Sequence, residues 1–244
     1  MGKPRILLLT ATFPYRSGEP FLEQEIWALS KFFDLFVLPC GATSFEQIYP
    51  LPEDAVILEA EAKQIRNCKR SLLSLAKGLS SSAPEVFEEG ANHLGTFIHP
   101  KGFARTYWRA ARARFIAPLI SRVAQETGID VIYSYWMSYQ ALAAVKAVKA
   151  FGLKSLTLTR AHGSDLYHYA NIPPYCPFQE QIIREIDRVA TISNHGEEYL
   201  KARYGEFAEK VSTFRLGVPP GPANKGSKDG VFRIVSCSAL KPVK

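Results

Sequence analysis

The chain has 244 residues, 47% of them hydrophobic and 22% charged, a globular composition that excludes a disordered tail or a fibrous repeat. Such a length suits one large domain or one and a half small ones. It buries about three quarters of its unfolded surface, so no disulfide or metal staple is needed. Lysine and arginine number 30 against 23 aspartate and glutamate, a net charge of +7. Eleven basic and four acidic residues lie between Glu61 and Gln125, and the rest of the chain is balanced.

The first predicted element is a strand, Arg5–Leu9. Its run Ile6-Leu7-Leu8-Leu9 is too short for a signal segment and leads straight into Pro14 and Gly18. Further strands are expected at Leu35–Leu38, Ala55–Leu58, Val131–Tyr135, Ser155–Thr159, Val189–Ile192 and Val211–Leu216. Between them, helices are expected at Phe21–Phe33, Lys63–Leu79, Phe103–Thr127, Tyr139–Ala150, Phe178–Ile186 and Glu197–Tyr204. Gly128, Gly152 and Gly205 stand where helix ends need a permissive backbone. Strand–helix alternation with near-continuous apolar strands predicts an α/β fold, a parallel sheet covered by helices on both faces. In such sheets a site belongs in the loops at the carboxyl ends of the strands.

The texture changes near residue 217. Gly217 to Gly230 is rich in Gly and Pro and reads as a linker. Phe232 to Ser238 then opens a new strand. The expected organisation is a Rossmann-like domain over 1–216, a linker over 217–230 and the start of a second, truncated domain over 231–244. No stretch approaches the ~18 apolar residues of a membrane span. Cys40, Cys68, Cys176 and Cys237 lie far apart with no ligand-like spacing, as expected of reduced thiols. The expectation is a soluble, cytoplasmic protein, open to peripheral contact with the inner face of the cell membrane.

Several loops carry chemistry. In Thr10–Pro20, Gly18 next to a helix start leaves backbone N–H groups suited to a phosphate or a sugar hydroxyl; a plain turn is the alternative. With one glycine it is no dinucleotide fingerprint, and no phosphate-binding Walker loop occurs. At the end of the fifth strand, Arg160-Ala161-His162-Gly163-Ser164-Asp165-Leu166-Tyr167 gathers His, Ser and Asp where a ligand would lie. No G-x-S-x-G elbow supports a serine hydrolase, and His162, His168 and His195 lack the spacing of a zinc site. Ser193 or Asn194 is expected to cap the next helix, with Glu197 in its first turn.

The basic quarter holds a helix on which Lys101, Arg105, Arg109 and Arg112 follow spacings of four, four and three. At ~100° per residue they share one face, flanked by Trp108. A basic face edged with aromatic rings suits an anionic membrane surface; a solvated charged face is the plainer alternative. Nothing resembles a nucleic-acid-binding module, so no nucleic-acid partner is expected.

Taken in order, these segments resemble the first half of a GT-B glycosyltransferase of family 4, of the exopolysaccharide and capsule branch. The resemblance rests on Thr12-Phe13-Pro14-Tyr15 with Gly18-Glu19-Pro20-Phe21-Leu22-Glu23 and Glu25, on Arg160 to Tyr167, on Ile192-Ser193-Asn194-His195-Gly196, on Leu216-Gly217-Val218, and on Ser236 to Lys244. It implies retaining transfer of a sugar from a nucleotide-sugar donor to a lipid-linked or polysaccharide acceptor, without metal or other cofactor. It implies that the first domain shapes the acceptor side and the second binds the nucleotide. His162 takes the catalytic position, in contact with the donor sugar, and Gly18, Arg160, Gly163, Asp165 and Lys244 take donor- or acceptor-binding positions. Two departures stand out. The family's arginine five positions before Lys244 is Ala239, and its E-x7-E belongs well past residue 244, so the 244 residues alone are expected to be inactive. A non-catalytic acceptor- or membrane-binding subunit, paired with a separate donor-binding chain, is the alternative, and an unrelated nucleotide-binding protein a third.

Overall fold

A computed structural model describes residues 2–16, 18–70, 72–94 and 98–218, together with Gly221, Val231 and Ile234, and of residues 69–81 the backbone only. Lys244 and nearly all of the expected linker and second-domain strand therefore lie outside the described residues.

Seven strands form one sheet: β1 (Arg5–Thr10), β2 (Asp34–Pro39), β3 (Val56–Ile57), β4 (Val131–Ser134), β5 (Leu156–Ala161), β6 (Arg188–Thr191) and β7 (Val211–Thr213). All pairings are parallel, in the order β3-β2-β1-β4-β5-β6-β7. This is the Rossmann-like α/β architecture that the alternation of elements predicts. Leu7, Leu8 and Leu9 are each 0% exposed, which is why β1 reads as an unbroken apolar run: both faces are covered. Successive side chains serve opposite faces. Leu7 and Leu9 join the larger core, with Leu38, Ile116, Ile132 and Leu142. Ile6 and Leu8 join the smaller one, with Phe13, Leu22, Ile26, Tyr133 and Tyr135.

The helices are α1 (Leu22–Leu29), α2 (Glu59–Arg70), α3 (Leu72–Asn92), α4 (Pro100–Thr127), α5 (Tyr139–Phe151), α6 (Gln179–Glu185) and α7 (Asn194–Arg203). α4 starts with Pro100 in its first turn and ends at Gly128, whose φ of +66° lets its N–H close back on the Ala124 carbonyl. α5 ends the same way at Gly152. Ser193 caps α7, its hydroxyl accepting from the Gly196 N–H at 3.2 Å.

Two expectations are corrected. The helical stretch expected over Lys63–Leu79 extends further at both ends: α2 starts at Glu59, and α3 runs through Pro84 to Asn92. Pro84 lies inside this helix, and buried Val86 anchors the stretch to the larger core. Strand β7 ends at Thr213 rather than Leu216. The pairing with β6 closes with the Phe214 N–H donating to the Thr191 carbonyl at 2.8 Å, and the Phe214 side chain is exposed.

The order of strands places the site. From β1 the chain moves to β2 on one side, and from β4 it moves to β5 on the other. The crevice between β1 and β4, at their carboxyl ends, is the switch point of the sheet. The loops after β1, β4 and β5 converge there.

Candidate functional site at the carboxyl ends of the central strands

The loop after β1 is organised around one carboxylate. Glu19, 1% exposed, accepts from the backbone N–H of Ala11 at 3.0 Å, Thr12 at 2.7 Å and Phe13 at 2.8 Å, and from the Trp136 indole N–H at 2.6 Å. The N–H groups of residues 11–13, which a ligand phosphate could otherwise claim, are thus occupied by the protein's own anion. Gly18 itself is exposed, with only the Thr12 hydroxyl oxygen near the place a Cβ would take, at 3.4 Å. Its φ is not in the left-handed region, so no turn geometry demands glycine there.

His162 sits at the end of β5, inside the wall these loops make. Its ring lies 4.6 Å from that of Trp136, 5.2 Å from that of Tyr135 and 5.7 Å from that of Phe21, centroid to centroid. Both ring nitrogens are buried and neither has a hydrogen-bond partner in the structure. Asp165 Oδ2 stands 3.7 Å from Nδ1, beyond hydrogen-bond reach. An imidazole carries one donor and one acceptor, and leaving both unmet in a dry place is costly. Next to it, Gly163 is exposed, with nothing within 4 Å of the place a Cβ would take. A ligand can approach the backbone there.

Two sequence-expected binding residues serve the frame instead. Asp165, 3% exposed, accepts from the backbone N–H of His162 at 3.0 Å and of Met137 at 3.0 Å, tying the β5 loop to the β4 loop. Arg160, 8% exposed, spends its guanidinium on the Tyr133 hydroxyl (2.7 Å), the Phe214 carbonyl (2.7 Å) and Glu25 (2.7 Å). Burial opposes its charge, but Tyr133 and Glu25 outweigh it and hold the guanidinium pKa above the usual arginine range. Glu25 also accepts from the Tyr133 and Tyr135 hydroxyls. Burial first, then Glu25, pushes both tyrosine pKa values up.

The basic face of α4 is turned differently from the outward stripe expected. Arg109 is buried, and Arg105 and Arg112 are partly covered by the loops after β5 and β2. Of the five residues assigned to a membrane surface, only Lys101 and half-exposed Trp108 face solvent. Helical periodicity placed the arginines on one face correctly, but that face packs against the protein.

The other histidines stand apart from this site. His168 is buried, its Nε2 2.9 Å from the Gln179 side-chain oxygen, and His195 Nδ1 meets the Tyr167 hydroxyl at 2.8 Å. Among the described residues no group of three or more His, Cys, Asp or Glu is placed to hold a metal ion. Two cavities of about 430 and 410 Å³ lie elsewhere, one at the amino ends of β1 and β2 beside Arg5 and Asp34, the other between α3 and α6 beside Glu85 and Glu185. Neither is lined by His162. No helix among the described residues is long and apolar enough to cross a membrane.

Sequence reasoning missed Glu19 and Trp136 as site-building residues. The signal for Glu19 was an acid between Gly18 and Pro20 in a loop whose N–H groups had no helix to join. Trp136 gave none, because its partner is 117 residues away.

No protein-family model matches the chain, and no curated protein matches it. Among solved structures it is similar to UDP-N-acetylglucosamine 2-epimerase from Rickettsia bellii, at 14% sequence identity and a TM-score of 0.46. That likeness covers 87% of this chain and 44% of that protein, so the chain spans less than half its length.

Proposed function

We propose that this chain is the acceptor-side half of a retaining glycosyltransferase, which moves a sugar from a nucleotide donor to a lipid-linked or polysaccharide acceptor. One observation carries the reading. His162, in an aromatic enclosure at the switch point of the sheet, has a donor and an acceptor nitrogen without partners, beside an open glycine. A sugar supplies both kinds of partner through its hydroxyls and apolar ring faces for the surrounding rings. The ordered motifs from Thr12 to Lys244 that resemble family 4 glycosyltransferases support the same reading from the sequence.

In this reading His162 bonds a hydroxyl of the transferred sugar, and the Gly163 backbone lets that sugar approach. Glu19 and Asp165 do not touch substrate: they hold the loops that form the wall. Lys244 would bear on the donor diphosphate, stabilising the leaving group by its charge.

The test is saturation-transfer NMR of the chain with UDP-N-acetylglucosamine, UDP-glucose and GDP-mannose. Sugar-ring protons of at least one should be saturated more strongly than base protons, and His162→Ala should remove that signal. Saturation concentrated on the base would make this a nucleotide-binding domain, and no sugar signal with any donor would refute the proposal.

A further inference from the structure

Arg105, Arg109 and Arg112 are spaced four and three along α4, and all three reach the carboxyl edge of the sheet. Arg105 donates to the Asn171 side-chain oxygen at 3.3 Å and to the carbonyls of Pro173 at 3.0 Å and Tyr175 at 2.7 Å. Arg109, 8% exposed, makes one long contact, 3.4 Å to the Pro177 carbonyl. The Arg112 guanidinium lies against two rings that meet edge to face, 4.5 Å from the centroid of Trp108 and 4.0 Å from that of Tyr139. Its Nη2 donates to the Cys40 carbonyl and to the Tyr139 hydroxyl.

These contacts satisfy N–H groups but neutralise no charge. Among the described residues none of the three arginines has a carboxylate within 4.0 Å, although Arg114 and Arg122 of the same helix pair with Glu85 and Glu61. Asp165 acts on Arg109 at longer range, but its two oxygens are already bonded to the His162 and Met137 N–H groups. The Nε atoms of Arg105 and Arg112 are buried and unpartnered. Arginine does not shed its proton to relieve this. Three guanidinium charges therefore sit partly dried along one stripe of α4 with no carboxylate in direct contact among the described residues, an arrangement that a bound anion would relieve.

We propose that Arg105, Arg109 and Arg112 form a binding site for a phosphate-bearing ligand, with the Trp108–Arg112–Tyr139 cluster as its fixed end. Three positive charges match the charge of a diphosphate better than that of a single carboxylate. The planar donor forks of arginine suit phosphate oxygens. Burial pushes the pKa of Arg105 and Arg109 below the usual arginine range. The electrostatic argument stands without the sugar-transfer reading. With it, the site would hold the diphosphate of a lipid-linked acceptor against the acceptor-side domain.

The test is calorimetric titration of the chain with inorganic pyrophosphate at low salt, beside flotation with phosphatidylglycerol vesicles. Arg112→Gln and Arg105→Gln should each weaken pyrophosphate binding about tenfold or more with the unfolding midpoint kept. Lys101→Gln, on the exposed side, should leave binding unchanged. Pyrophosphate binding without flotation identifies a soluble diphosphate ligand; binding with flotation, both lost in Arg112→Gln, identifies a lipid-borne one. No pyrophosphate binding, equal weakening by Lys101→Gln, or flotation alone would overturn the site. The NMR experiment reads His162 separately, so either proposal can fail while the other survives.

Discussion

Glu19 shows how one buried charge becomes affordable. Its carboxylate is nearly inaccessible, yet four N–H groups converge on it, so the negative charge exchanges water for oriented donors rather than for nothing. Removing it would leave three backbone N–H groups and an indole without an acceptor. Glu19→Ala should therefore cost about 3 kcal/mol of stability, read by urea denaturation, and Glu19→Gln, which keeps one acceptor oxygen, should recover part of it. Loss of the Trp136 bond should also free the ring that walls His162, so the sugar-proton signal should weaken in both variants. His162 is the opposite case, a polar group placed in a dry enclosure with nothing to bond. That contrast separates a residue whose polar atoms are met within the protein from one whose polar atoms are not.

At the scale of elements, the central strands are held by contacts that leave little room. Gly41, just past β2, brings its N–H to 2.5 Å from the Ala11 carbonyl, and a Cβ there would stand 2.5 Å from that same oxygen. Backbone cannot swing aside as a side-chain end can. Gly41→Ala should cost about 1–3 kcal/mol, measured by thermal melting, and should disturb the loop after β1. At Gly196, by contrast, an added Cβ would meet the Leu166 Cδ2 atom at 2.8 Å, the mobile end of a side chain. Arg160 links α1, β4 and the segment after β7 through Glu25, Tyr133 and Phe214, so an arginine that resembles a ligand-binding residue in the sequence acts as a clasp between elements. Helix α4 divides its charges by face: Arg114 and Arg122 find acids on α3 and α2, and among the described residues the other three arginines have none within 4.0 Å.

For the molecule as a whole, His168 couples stability to pH. Burial first, and then the nearby positive charge of Arg203, push its pKa down to about 4 from 6.5; the bond to Gln179 works the other way, and His93 and Arg105 add to the lowering. The unfolded chain binds a proton below about pH 6.5 that the folded chain refuses until about pH 4. His168 thus lowers stability as pH falls across that window, and adds no further loss below it. Denaturant melts at pH 7 and pH 4.5 should differ less in His168→Gln than in the unaltered chain. A difference of equal size would show that acidic groups alone set the slope.

The seven strands and their order along the chain were legible in the sequence because each is a short apolar run between helical stretches, and burial on both faces allows little else. The position of His162 at the end of β5, beside Gly163, followed from the same pattern. The sequence determined which arginines share a face of α4, since that depends only on 3.6 residues per turn. Only the tertiary structure decided which way the face points, because that depends on where the loops after β2 and β5 fold across it. It also decided that the β1 loop is filled by Glu19 and that Arg160 and Asp165 hold the frame. Each of those roles is a contact between residues distant along the chain, and periodicity carries no record of them.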